Sequence, residues 1–92
     1  MISPDKRPRI ASKAWLRYDR KTNRTMLLYP ERGLVLNPTA AEIAKLCTGE
    51  HSVSAIVAQL ASRYGKDAHE IESEVMKFLS ALAERGLLQE PE

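Results

Sequence analysis

Apolar and polar residues alternate through residues 12–18. Ala14, Leu16 and Tyr18 fall on one side of an extended chain, and Lys13, Trp15 and Arg17 on the other. A period of two predicts a strand. The polar run 19–24 predicts a hairpin connection. Residues 25–29 predict a second strand, apolar on both faces and stopped by Pro30, which has no N–H to give to a ladder. Glu31, Arg32 and Gly33 predict a turn, and Leu34, Val35 and Leu36 a short third strand ending at Asn37 and Pro38. Residues 1–11, with two prolines and several charges, predict an extended, flexible N-terminal arm ahead of a single domain over 12–92.

After Pro38 the period changes to 3.6. Thr39 with Glu42 has the spacing of a capping box, which predicts a helix starting there and turning Ala40, Ile43, Ala44 and Cys47 inward. Gly49, in the break at 48–51, is the residue type of a left-handed cap. Ser52 predicts the start of a second helix whose Val53, Ile56, Val57, Leu60, Ala61 and Tyr64 share one stripe, with Gly65 ending it. Asp67 with Glu70 predicts a third, carrying Ile71, Val75, Phe78, Leu79 and Leu82 inward, with Gly86 past its end. Three antiparallel strands followed by three helices make an α+β layout of the winged helix-turn-helix type. Fold at this level does not choose a function.

Composition narrows the choice. With 43% apolar and 28% charged residues in 92, the chain is expected to fold as one globular domain. No apolar run approaches the ~18 residues that would span a membrane, and the first residues lack the apolar stretch of a secretory signal. The one cysteine, Cys47, closes no internal disulfide. Together these predict a cytoplasmic location. The net charge of +2 is unevenly spread: residues 1–32 hold nine Lys/Arg against three Asp/Glu, and residues 33–92 five against nine. A basic first third attracts an acidic partner, or is simply a solvated surface.

Catalytic equipment is missing. Cys47, His51 and His69 are the only soft ligands, and neither Cys-x-x-Cys nor His-x-x-x-His occurs. No phosphate-cradling or nucleophile-elbow glycine motif occurs among four glycines. The expectation is no enzyme, no metal and no cofactor. Nucleic-acid binding is the alternative that a winged helix raises. The third helix, however, offers Lys66, Lys77 and Arg85 against Asp67, Glu70, Glu72, Glu74 and Glu84. That excess of carboxylate would be repelled by a groove lined with phosphates.

Two features point to a peptide instead. If the strands pair in order, Leu34, Val35 and Leu36 form a sheet edge without charge or proline inside it. Such an edge accepts an added strand, unless it is covered by another part of the chain. On the third helix, with residues about 100° apart, the apolar surface spreads beyond the core stripe on one flank only, through Leu79, Glu72, Ala83 and Met76. That flank either lines a groove or packs on the chain's own strands. An open edge also lets a second copy pair across a twofold, which leaves a homodimer open.

The run Leu27-Leu28-Tyr29-Pro30-Glu31-Arg32-Gly33-Leu34-Val35-Leu36-Asn37-Pro38-Thr39-Ala40 resembles the PqqD family, named for pyrroloquinoline quinone biosynthesis protein D. The resemblance continues through Ile43, Leu46-Cys47-Thr48-Gly49, Ser52-Val53, Ile56-Val57 and Leu60, and then Val75, Phe78-Leu79, Leu82 and Gly86-Leu87. It covers roughly residues 8–88, departing at Thr48, where the family commonly has aspartate. It implies a non-enzymatic peptide chaperone of the group that recognises precursors of ribosomal peptide natural products. Such a protein binds the precursor peptide PqqA and presents it to the radical S-adenosylmethionine enzyme PqqE, which crosslinks a Glu and a Tyr side chain. The peptide lies along the third strand against the third helix. Here that maps to Gly33, Leu34, Val35, Leu36 and Asn37 on the strand, and, by the angular placement above, to Glu72, Met76, Leu79 and Ala83 on the helix.

Overall fold

In the computed structural model, which describes residues 3–89, the elements run β1 (Arg9–Ile10), β2 (Trp15–Asp19), β3 (Arg24–Tyr29), β4 (Arg32–Leu36), α1 (Pro38–Leu46), α2 (Val53–Tyr64), α3 (Ala68–Glu84) and β5 (Leu88–Gln89). Strands β2, β3 and β4 form an antiparallel sheet in that order, so β2 and β4 are its margins. The third strand begins two residues earlier than its apolar run, because Pro30 and Glu31 alone make the turn and place Arg32 opposite Tyr29. Leu27, on the central strand, faces Leu16 on one side and Leu34 on the other. It is buried completely and belongs to the core together with Ile43, Ile56, Leu60, Val75, Leu79 and Leu82. The helices cover the Leu27 face of the sheet, and α1 packs against both β3 and β4.

The helix termini follow local chemistry, with one correction. Ser52 and Asp67 cap α2 and α3 as their positions predict, accepting from Ala55 N–H at 3.0 Å and His69 N–H at 2.7 Å. The cap of α1 is Asn37, whose Oδ1 accepts from Ala40 N–H at 2.7 Å, and not Thr39. Pro38 decides this: its fixed φ and missing N–H suit the first helical position, which leaves the residue before it as cap. Glu42 then points to Lys45 Nζ at 2.9 Å and to Arg63 on α2 at 2.6 Å. Gly49 is left-handed but lies in the connection, two residues beyond the Cys47 cap. Gly86, also left-handed, ends α3. Leu82 C=O accepts from Leu87 N–H at 2.8 Å and Ala83 C=O from Gly86 N–H at 3.0 Å, while Leu87 is drawn into the core.

Strands β1 and β5, absent from the periodicity, pair with each other in a separate two-stranded sheet. Of the arm predicted over 1–11, the described part begins with a turn closed by Lys6 N–H on Ser3 C=O at 3.1 Å and is then tied along the α1–α2 connection. Carbonyls of Pro4 and Lys6 accept from Ser54 and Val53 N–H at 3.0 and 2.9 Å. They satisfy donors at the start of α2 that have no partner inside the helix. Pro8 C=O accepts from Gly49 N–H at 3.0 Å, and the Pro8 ring is fully buried. Main-chain bonding of this kind carries no side-chain signature, which is why composition alone suggests a loose segment.

The position of the α1 cap is measurable. Replacing Asn37 by Ala should lower unfolding free energy by about 1 kcal/mol and the melting temperature by about 5 °C. Thr39→Ala should change stability by less than about 0.5 kcal/mol. A larger effect at Thr39 in thermal melts would return the cap to the capping-box position.

Candidate functional site

The two-residue connection between β3 and β4 settles which main-chain groups are free. Tyr29 and Arg32 close it directly, so they exchange both N–H···O bonds, and the ladder alternates from there. Arg32, Leu34 and Leu36 bond to β3, whereas the N–H and C=O of Gly33 and Val35 point away from the sheet. No segment among the described residues pairs with β4 on that side. Side chains obey the same parity. Leu36 is buried and Leu34 partly buried against the core, while Val35 on the opposite face is 50% exposed. The margin is therefore open and only five residues long, with no charge from Gly33 to Leu36. Strand β2, the other margin, carries Arg17 and Asp19. Charges there discourage added strands.

A groove of about 740 Å³ adjoins the end of this margin, between Asn37 and Thr39 on one wall and His69, Glu70, Ser73 and Glu74 of α3 on the other. The helical residues selected from the sequence sit elsewhere. Leu79 is completely buried in the core, Met76 is half-buried against it, and Glu72 and Ala83 are exposed. Met76 also borders a shallow depression with Ser73, Lys77 and Ser80 on the outer side of α3. The structure thus brings Asn37 to the first turns of α3, on the flank opposite the one that angular placement favours. The choice of flank depends on how α3 is rotated against β4, which periodicity within one helix does not report. A second concavity, about 850 Å³, lies past the end of β4, where Leu36 and Val35 meet Tyr18, Ala41, Lys45 and Tyr64.

Electrostatics separate the two sides of the molecule. Arg17, Arg20, Lys21 and Arg24 on the β2–β3 hairpin make no ion pair among the described residues, and Lys13 reaches Glu31 at 3.6 Å. Glu42 is held below the usual carboxylate range, first by the hydrogen bond from Lys45 and further by the charges of Lys45 and Arg63. Among the described residues no three His, Cys, Asp or Glu side chains converge as a metal site would require. Cys47 is buried, and burial pushes its thiol up to about 12. A thiol so placed is protonated at neutral pH and does not act as a nucleophile.

With this geometry in place, comparison with known proteins is decisive for lineage. Residues 24–88 match the family model of coenzyme PQQ synthesis protein D, PqqD. The chain belongs to the PqqD family. It is 43% identical over 89 residues to the PqqA binding protein of Rhodopseudomonas palustris (strain BisB5), covering 97% of this chain and 87% of that one. The solution structure of the PqqD truncation of Methylobacterium extorquens PqqCD is described as a functional, stand-alone recognition element for ribosomally synthesised and post-translationally modified peptides. It superimposes with a TM-score of 0.84 at 33% identity, covering 97% of this chain and 95% of that one. The crystal structure of PqqD from Xanthomonas campestris gives a TM-score of 0.62 at 32% identity, covering 97% and 99%. These likenesses span both the sheet and the helices.

Burial of Cys47 has a direct readout. In the native state at pH 7 to 8 an aromatic disulfide reagent should label it no faster than the domain opens, and denaturant should release labelling at the rate of an ordinary thiol. Immediate labelling of the folded protein would mean that α1 does not seat this side chain in the core.

Proposed function

We propose that this domain binds the ribosomal precursor peptide PqqA as an additional strand along β4 and presents it to the radical S-adenosylmethionine enzyme PqqE. The observation that carries the reading is the open margin: two residues in alternate register, Gly33 and Val35, whose N–H and C=O groups have no partner among the described residues. Main-chain bonds of this type hold any extended peptide, and the pockets beside them select its sequence. The names of the relatives support the choice of peptide, since several are PqqA binding proteins. Presentation to PqqE rests on the family resemblance.

The site proposed for the peptide consists of Gly33, Leu34, Val35, Leu36 and Asn37, with Glu72, Met76 and Ala83 on α3. Leu79 shapes it from within the core. Ordering a flexible peptide costs entropy, which favours moderate affinity in a carrier that must release what it holds. The unpaired cations of the β2–β3 hairpin favour a peptide with acidic residues. Nucleic acid is the weaker partner because α3, the helix that a winged helix presents to a groove, exposes Glu70, Glu72, Glu74 and Glu84 against the single cation Lys77.

Two measurements test this. Val35→Pro removes one outward N–H, a change that edge strands tolerate. It should leave the helical circular dichroism intact and weaken binding of labelled PqqA by about tenfold or more. A folded variant with unchanged affinity would place the peptide elsewhere. Raising salt from about 50 to 500 mM, which shortens the screening length severalfold, should weaken binding by a smaller factor. An affinity indifferent to salt would remove the hairpin cations from recognition.

A further inference from the structure

On the face of the sheet turned away from the helices, cross-strand rows run Trp15–Leu28–Gly33 and Arg17–Met26–Val35. Trp15 and Val35 are 55% and 50% exposed, and Met26 and Leu28 are half-buried between them. The first row ends on a residue without a side chain. A β-carbon placed on Gly33 would meet Leu28 Cδ2 at 3.0 Å and Met26 Cε at 3.1 Å. The two apolar tips therefore occupy the space above β4 that any other residue would fill, and they reach the margin itself. Backbone geometry does not demand glycine here: among the described residues, Gly49, Gly65 and Gly86 have a positive φ and Gly33 does not. What the missing side chain provides is room.

We infer that Gly33 sets sequence specificity by seating a large apolar side chain, aromatic or branched aliphatic, from the solvent-facing side of the visiting peptide strand. This rests on the reading that the peptide adds to β4. Side chains of an added strand alternate: one set stands beside Leu34 and Leu36 on the helix side, and the residues between them beside Gly33 and Val35 on the other. Opposite Val35 a side chain is already in place. Opposite Gly33 an incoming ring or branched chain meets no β4 side chain and lies across the glycine onto Leu28 and Met26. A bulky cross-strand neighbour that covers a strand glycine strengthens a pairing that is otherwise weak. The margin thus selects on two faces. A peptide with apolar residues only at two-residue spacing would fill one face; this site asks for a further apolar residue an odd number of positions away.

The test combines three domain variants with a set of PqqA peptides in which each residue is changed in turn to alanine, binding being read by fluorescence anisotropy. In Gly33→Ala the new methyl displaces only flexible side-chain ends and the backbone is unstrained, so the fold is retained. Its affinity for unmodified PqqA should fall about three- to tenfold. One peptide position should cost a similar factor when truncated against the original domain and nothing further against Gly33→Ala. Met26→Ala, which removes part of the seat without adding bulk, should weaken the same position. If Gly33→Ala and Met26→Ala both bind PqqA as the original does while Val35→Pro does not, the seat is wrong and strand addition stands. If all three bind as the original does, strand addition fails and the seat fails with it.

Discussion

A β-ladder has a period of two, and the connection of two residues at Pro30 and Glu31 sets its phase. Once Tyr29 stands opposite Arg32, every later residue of β4 has its face and its bonding direction assigned. Leu34 and Leu36 go to the core and bond to β3; Gly33 and Val35 face solvent and point their main-chain groups outward. A slip of one residue would exchange the two sets, expose two leucines and bury a glycine and a valine in their place. The hydrophobic core therefore enforces the same register that leaves the margin open. The binding capacity proposed for this margin would then be a by-product of packing that the domain needs in any case.

The junction after β4 limits how far that margin extends. Asn37 is the last extended residue and the cap of α1 at once, and Pro38 prevents the strand from continuing. A peptide running beside β4 beyond Leu36 leaves the sheet and meets two concavities that share Asn37 and Tyr64, one toward α3 and one toward α1 and the β2–β3 hairpin. On the proposed reading, strand addition would fix the peptide over a few residues, and side-chain pockets would continue from there. Arg63 on α2 reaches Glu42 on α1 at 2.6 Å, linking the two helices next to the wall that carries Asn37.

The parts of this fold that depend on period and punctuation were legible. Three strands, three helices, the caps at Ser52 and Asp67 and the glycines ending α2 and α3 all follow from the chain. Two kinds of information were not. Main-chain bonding between distant segments, as in β1 with β5 and the strap from Pro4 to Pro8, leaves no apolar pattern because carbonyls of any residue suffice. Competition between neighbouring signals is the other. Thr39 with Glu42 reads as a capping box, but Pro38 fits only the first helical position and hands the cap to Asn37. In the strand half of the proposed site, Leu34, Val35 and Leu36 came from the apolar run itself, and Gly33 and Asn37 from the family resemblance. The helix half depends on the rotation of α3 against β4, a tertiary quantity that periodicity does not report; Leu79, which its spacing already turned inward, lies wholly in the core.

An exposed apolar surface beside an unpaired strand edge is a liability for a soluble protein, since both invite self-association. Here the two are adjacent: on the solvent face Val35, Met26 and Leu28 lie beside the open groups of Gly33 and Val35, and Trp15 extends the apolar surface to the far margin. Charge at that position would make the edge safer at no cost to the core, because this face contributes nothing to the buried cluster. Its absence is explained when the face and the edge receive the same ligand, the backbone of the peptide taking the edge and its alternate side chains taking the face. On the proposed reading the hairpin arginines, which make no ion pair among the described residues, would draw toward the margin a chain of the opposite sign.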